Sequence, residues 1–191
     1  MTKLYHEILL YHGSYREVTD IDLSKCKSGL DFGRGFYVTS SYEQAYRYVP
    51  SAVRKAVVTG KVPQQFDVNN GRINLYKFHF DPNLLIHYFE EAEADWLHFV
   101  AANRDEELFP KLIEKFRTTD IIGGKVADDD TARTLNFYTQ GDYGTPGTVE
   151  ADEFTLKKLL PNRLKDQFCF RTEEAIASLE FVRSDCYSKG E

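Results

Sequence analysis

From Arg72 to Phe80 (RINLYKFHF), Ile73, Leu75, Lys77 and His79 alternate with Asn74, Tyr76, Phe78 and Phe80. That period of two, rich in aromatics, predicts a strand. Ile8-Leu9-Leu10-Tyr11 is a short apolar run ending at His12-Gly13-Ser14, so it reads as a strand feeding a loop. Gly33 and Gly35 read as a glycine turn entering a strand at Phe36-Tyr37-Val38-Thr39. Ser40-Ser41 then offers a cap for a helix to about Lys55, with Glu43 in its first turn.

Downstream, Trp96, Leu97, Phe99 and Val100 recur at helical spacing within Ala92 to Asn103. Leu108, Leu112, Ile113 and Phe116 do the same within Glu107 to Phe116, with Pro110 expected in the first turn, where its missing N–H costs little. Thr119 to Gly124 predicts a strand, and Asp128 to Gln140 and Glu150 to Leu160 predict helices. Gln167-Phe168-Cys169-Phe170 predicts a strand, Thr172 a cap for a short helix, and Leu179 to Arg183 a last strand. Strands are not regularly followed by crossover helices. The expected class is therefore α+β, with an antiparallel or mixed sheet flanked by helices rather than a doubly wound parallel one.

The 191 residues show no repeat, low-complexity tract or Pro/Ser-rich linker, which predicts one domain over 1–191. Residues 82–124 are set apart as a candidate helical insertion. A net charge of −6 argues against a general grip on nucleic-acid phosphates, although a local basic patch remains open. Cys26, Cys169 and Cys186 show no CxxC spacing, so a disulfide framework or zinc site is not expected and a reducing cytoplasm is the natural compartment. The N-terminus does not read as a signal peptide, and no run of ~18 apolar residues predicts a membrane span. The histidines form no metal spacing, so no metal is expected. Cys169 reads as core, and Glu150, Asp152 and Glu153 as acids at a helix start. Asp128-Asp129-Asp130 reads either as a helix N-terminus or as a reach toward an acceptor or Mg²⁺.

Three fragments carry candidate chemistry. In Leu10-Tyr11-His12-Gly13-Ser14, a strand-end histidine and serine offer hydrogen bonds to ribose hydroxyls, and Gly13 lets backbone approach a planar carboxamide. In Phe32-Gly33-Arg34-Gly35-Phe36-Tyr37-Val38-Thr39, Tyr37 precedes Tyr48 by eleven residues, and two such tyrosines can sandwich an aromatic ring. The glycines are not a dinucleotide-binding fingerprint, because the third is absent and the order is turn then strand. The last fragment is Gln167-Phe168-Cys169-Phe170. Each also has a plain reading as loop, core aromatic or strand edge.

In order and character the three resemble the diphtheria-toxin-like ADP-ribosyltransferases and poly-ADP-ribose polymerases. That superfamily has a His-Gly-Ser-like first motif, then Phe-Gly-Lys-Gly-Ile-Tyr-Phe-Ala and a helix bearing a second stacking tyrosine. The match runs from Leu10 to Tyr48. The whole chain also resembles a bacterial group of ADP-ribosyltransferase-like proteins, through Trp96-Leu97-x-Phe99-Val100, Asn103-Arg104 and Gly124-Lys125-Val126-Ala127-Asp128-Asp129.

The resemblance implies an ADP-ribosyltransferase fold and an enzyme that uses NAD as substrate, cleaving its nicotinamide–ribose bond through an oxocarbenium-like transition state. It implies His12, Tyr37 and Gln167 as the catalytic set, and Tyr11, His12, Gly13, Ser14, Arg34, Gly35, Tyr37 and Tyr48 as the NAD-binding set. His12 would hydrogen-bond the adenosine ribose, Gly13 the nicotinamide amide, and Ser14 would support the ribose. Tyr37 and Tyr48 would bracket the nicotinamide ring, with Gly35 allowing the turn that delivers Tyr37. Arg34 stands where the polymerases carry a lysine. The most active members have a glutamate where this chain has Gln167. Glutamine accepts the ribose hydrogen bond without charge assistance, which weakens transition-state stabilisation. Members lacking the glutamate are restricted to single transfers or are inactive. The expected activity is thus mono-ADP-ribosylation of a protein or nucleic-acid acceptor. The bacterial resemblance adds a toxin, defence or regulatory role with an antitoxin or regulatory partner, and no membrane partner. The alternatives are an inactive NAD- or partner-binding module, and an RNA-end 2′-phosphotransferase, against which the acidic balance argues.

Overall fold

The computed structural model describes residues 2–125, 129–159 and 165–188. In chain order the elements are β1 (Leu9–Ser14), β2 (Phe36–Val38), α1 (Tyr42–Val58), β3 (Arg72–Phe78), β4 (Ile86–Tyr88), α2 (Ala94–Arg104), α3 (Pro110–Lys115), β5 (Ile121–Lys125), α4 (Asp129–Thr139), α5 (Val149–Leu159), β6 (Asp166–Phe170), α6 (Glu173–Ala177) and β7 (Leu179–Cys186). Short 3-10 turns occupy Leu23–Lys25 and Val68–Asn70. The class is α+β, with one antiparallel and one mixed sheet.

The chain divides into two compact units. One comprises Leu4–Ile21, Tyr37–Pro82 and Ile176–Glu191. Its sheet has the order β1-β3-β7, antiparallel throughout. The strand expected to end near Tyr11 continues to Ser14, because β3 supplies partners for the whole first fragment: His12 faces Asn74, Gly13 faces Ile73 and Ser14 faces Arg72. Helix α1 covers this sheet. The Ser41 side chain caps it by accepting from the Gln44 N–H. Its buried stripe is Ala45, Val49, Val53 and Ala56, at the helical period. Ala45, Val49 and Val53 pack with Ile73 and Tyr187. Each fully buried valine there stabilises the fold by roughly 1.5–3 kcal/mol relative to exposure.

The other unit comprises Met1–Lys3, Asp22–Phe36 and Asn83–Ala175. Its sheet order is β2-β6-β5-β4, and only the first residue of β2, Phe36, belongs to this unit. β5 pairs antiparallel with β6 and parallel with β4. Phe32, Phe89, Phe99 and Phe116 form an aromatic core, with ring centroids 4.9–6.3 Å apart. Helix α2 buries Trp96, Leu97, Phe99, Val100, Ala101 and Ala102, which is why its sequence is apolar on most sides. Residues 82–124 supply β4 and most of β5 as well as the two expected helices. Helix α3 starts at Pro110, later than its apolar spacing indicates, because Phe109 takes a left-handed conformation (φ 51°) and Pro110 becomes the first helical residue.

Candidate functional site

The first fragment and the Tyr37–Thr39 end of the second lie side by side in the first unit. Tyr11 and Thr39 exchange backbone hydrogen bonds of 2.8 and 2.9 Å. His12 Nδ1 lies 2.8 Å from the Tyr37 carbonyl oxygen. A carbonyl only accepts, so Nδ1 carries the proton in this bond. Burial pushes the His12 pKa below 6.5, and the bond to Tyr37 opposes this less strongly. At neutral pH the ring is therefore uncharged, and Nε2 is its accepting nitrogen.

Gly13 is fixed by close approach. A Cβ at this position would stand 2.2 Å from the Ala45 carbonyl oxygen of α1 and 3.4 Å from Val49 Cγ2. Ser14 is buried and its Oγ accepts from the Arg16 N–H at 3.4 Å. Tyr11 is half-buried, with its ring edge-on to Tyr42 at 5.5 Å. Tyr37 is half-buried, whereas Tyr48 is exposed on α1 with Lys55 Nζ 5.1 Å over its ring and donating to its hydroxyl at 3.3 Å.

Asn74 also shapes this site and was not singled out by the sequence reading. Fully buried opposite His12, it donates to the His12 and Arg16 carbonyls at 3.3 and 3.2 Å and accepts from the Val18 N–H at 3.0 Å. It fastens the turn that follows β1. An amide set between Ile73 and Leu75 in a strand was the available signal, since a buried amide requires partners.

The second unit holds Arg34, Gly35 and Gln167. The left-handed turn falls at Gly33 (φ 79°). Gly35 instead meets a space limit, because a Cβ there would stand 2.4 Å from Cys169 Sγ and 2.6 Å from the Phe170 carbonyl oxygen. Cys169 is fully buried core. Arg34 is exposed, and its Nε and Nη2 both donate to the Leu23 carbonyl at 3.1 and 2.9 Å.

Gln167 is the second residue of β6, buried and opposite Gly124 of β5. Its Nε2 donates to Asp31 Oδ2 at 3.4 Å. Because a carboxylate only accepts, this bond fixes which way the amide points and makes Oε1 its accepting end. Asp31 is itself buried and receives Arg104 Nε and Nη2 at 3.1 and 2.6 Å. Arg104 therefore does more than close α2: it neutralises a buried carboxylate. Asp31, missed in the sequence, gives no periodic signal because it lies in a loop.

Asp152 is likewise more than a helix-start acid. It is buried, with His98 Nε2 2.6 Å from its Oδ2, and Tyr138 Oη and Gly147 N–H donating to Oδ1. Burial, then the bond to Asp152, holds the Tyr138 phenol protonated. The expectation placed on Asp128-Asp129-Asp130 lies outside the described side chains, and Val126, Ala127 and Asp128 lie outside the described residues. Among the described residues, no helix is long and apolar enough to cross a membrane.

A family model described as "Protein of unknown function (DUF3990)" matches residues 8–181. Neither a curated protein nor a solved structure matches the chain.

Proposed function

We propose that this chain, which belongs to the DUF3990 family, is an NAD-dependent mono-ADP-ribosyltransferase. NAD and an acceptor nucleophile would yield ADP-ribosyl acceptor, nicotinamide and a proton. The observation that carries the reading is the contact between the first two fragments, with the His12 ring on the Tyr37 carbonyl and Tyr11 bridged to Thr39. A neutral His12 suits the contact with a ribose hydroxyl that the resemblance assigns it. Gly13 backbone would read the nicotinamide amide, Ser14 would support the ribose, and Tyr37 and Tyr48 would bracket the ring. The resemblance assigns Arg34 and Gly35 to the same NAD-binding set, with Arg34 facing a phosphate. The resemblance assigns Gln167, whose amide donates to Asp31, the role of accepting from the ribose 2′-hydroxyl as the oxocarbenium charge develops. A neutral acceptor stabilises that charge less than a carboxylate does, which favours single transfer over polymer synthesis.

The acceptor is a protein or a nucleic acid. A bacterial toxin or defence role, with a regulatory protein as partner, rests on the resemblance. A second reading, a binding module without turnover, is favoured by the neutral Gln167 amide. Calorimetry with NAD tests the site. Tyr37→Ala is expected to remove binding while melting as a folded protein, and unchanged affinity in that variant would overturn the stacking role. Binding by the native protein with no nicotinamide released would select the module.

A further inference from the structure

A cleft of ≈440 Å³ in the second unit is lined by Arg34, Arg117 and Arg171, with Thr119, Thr172 and Ser24 among the other lining residues. In a chain of net charge −6, one cleft holds three arginines against one lining acid, Glu173. Two of them are held in place by backbone carbonyls. Arg34 rests on Leu23 through Nε and Nη2. Arg171 Nη1 donates to the Phe116 and Thr119 carbonyls at 2.6 and 3.4 Å. A carbonyl orients a guanidinium without cancelling its charge, and arginine stays protonated at every physiological pH. Arg171 Nε is buried with no hydrogen-bond partner, and buried donors normally have one. Arg117 pairs with Glu114 at 3.2 Å, but both side chains are about 70% exposed, so that pair is weak.

We infer that this cleft binds a phosphate or diphosphate ester of nucleotide size. Guanidinium forks match phosphate oxygens in geometry as well as charge. The volume lies in the range of small-molecule sites. Arg34 comes from a loop, Arg117 from the turn that follows α3 and Arg171 from the residue after β6, so their side chains converge only in the folded chain. The inference does not depend on the NAD-cleaving activity. The phosphates come either from the dinucleotide itself or from a separate phosphorylated molecule, and the test distinguishes these.

The experiment titrates the full chain with inorganic pyrophosphate, and then with NAD present. Saturable binding is expected. Arg34→Gln is expected to weaken it about tenfold, the equivalent of one charge-assisted hydrogen bond, and Arg34→Gln/Arg117→Gln to weaken it further. Both side chains are exposed, so the variants should melt like the native protein. Arg54→Gln, on exposed α1 surface, should bind as the native chain does. Displacement of pyrophosphate by NAD assigns the cleft to the dinucleotide, and simultaneous binding assigns it to a second phosphorylated ligand; either supports the inference. No saturable binding, or binding that survives in the folded double variant, overturns it. Pyrophosphate binding by a protein that ignores NAD would refute the proposed activity and leave the cleft assignment standing.

Discussion

Gly13→Ala puts a single methyl against a helix backbone. The new Cβ would stand 2.2 Å from the Ala45 carbonyl oxygen and 3.2 Å from its carbon, where ordinary contact begins at 3.4 Å. The obstacle is main chain, so no rotamer change relieves it. Helix α1 must move by roughly 1 Å or β1 must buckle, and either opens the cluster of Ala45, Val49, Val53, Ile73 and Tyr187. Overpacking of this kind costs about 1–3 kcal/mol, and the stiffer unfolded chain returns only about 0.4–1 kcal/mol. With about 0.4 kcal/mol returned, the net cost is about 0.6–2.6 kcal/mol, and a chain of this length should lose roughly 1–10 °C in Tm. Thermal unfolding followed by circular dichroism measures it. Val49→Ala in the same chain should restore little, because it removes only the 3.4 Å contact. A Gly13→Ala variant that melts with the native protein would refute the close approach. Gly13 would then owe its place to ligand access alone.

Arg104→Met leaves buried Asp31 without its cation and should cost about 3–5 kcal/mol, read as a fall in Tm; a loss within error would mean that solvent reaches the pair. Gln167→Glu sets two buried carboxylates side by side, so its Tm should fall below the native chain's at neutral pH, and that gap should narrow on acidification as the pair takes up a proton. Asp31→Asn/Gln167→Glu removes that conflict and should release nicotinamide faster than the native chain. No gain in a folded double variant would remove Gln167 from the catalytic position. Burial lowers the pKa of both His12 and His87 below 6.5, so the unfolded chain binds more protons between the folded values and 6.5. Stability should therefore be lost as pH falls through that window and level off below it. Melting scans at falling pH check the sign, and His12→Gln should flatten the slope without abolishing it.

Where a local device was complete, the sequence was enough. Ser41, Glu43 and the stripe Ala45, Val49, Val53 specify α1 without help from elsewhere, and the alternation in β3 predicts its strand. The end of β1 was misread because His12-Gly13-Ser14 has turn composition, and only pairing with β3 makes it extended. β4 was invisible because three residues, Ile86 to Tyr88, carry no period, and the strand exists through its pairing with β5. In the site, the His12 and Tyr37 fragments were legible as motifs. Asn74 and Asp31 were not, because each acts through partners distant in sequence, 58 residues away for Asn74 to Arg16 and 136 for Asp31 to Gln167. Arg34, Arg117 and Arg171 are likewise unremarkable singly and become a cleft only through the second unit's fold.

The most direct measurement of the central claim is nicotinamide release from NAD by the purified chain beside Tyr37→Ala, with intact mass recorded on both. The account predicts release by the native protein and its loss in a folded Tyr37→Ala variant, with any self-modification appearing as one added ADP-ribose and not a ladder. Equal release by the two proteins, or neither release nor NAD binding by the native chain, would contradict it.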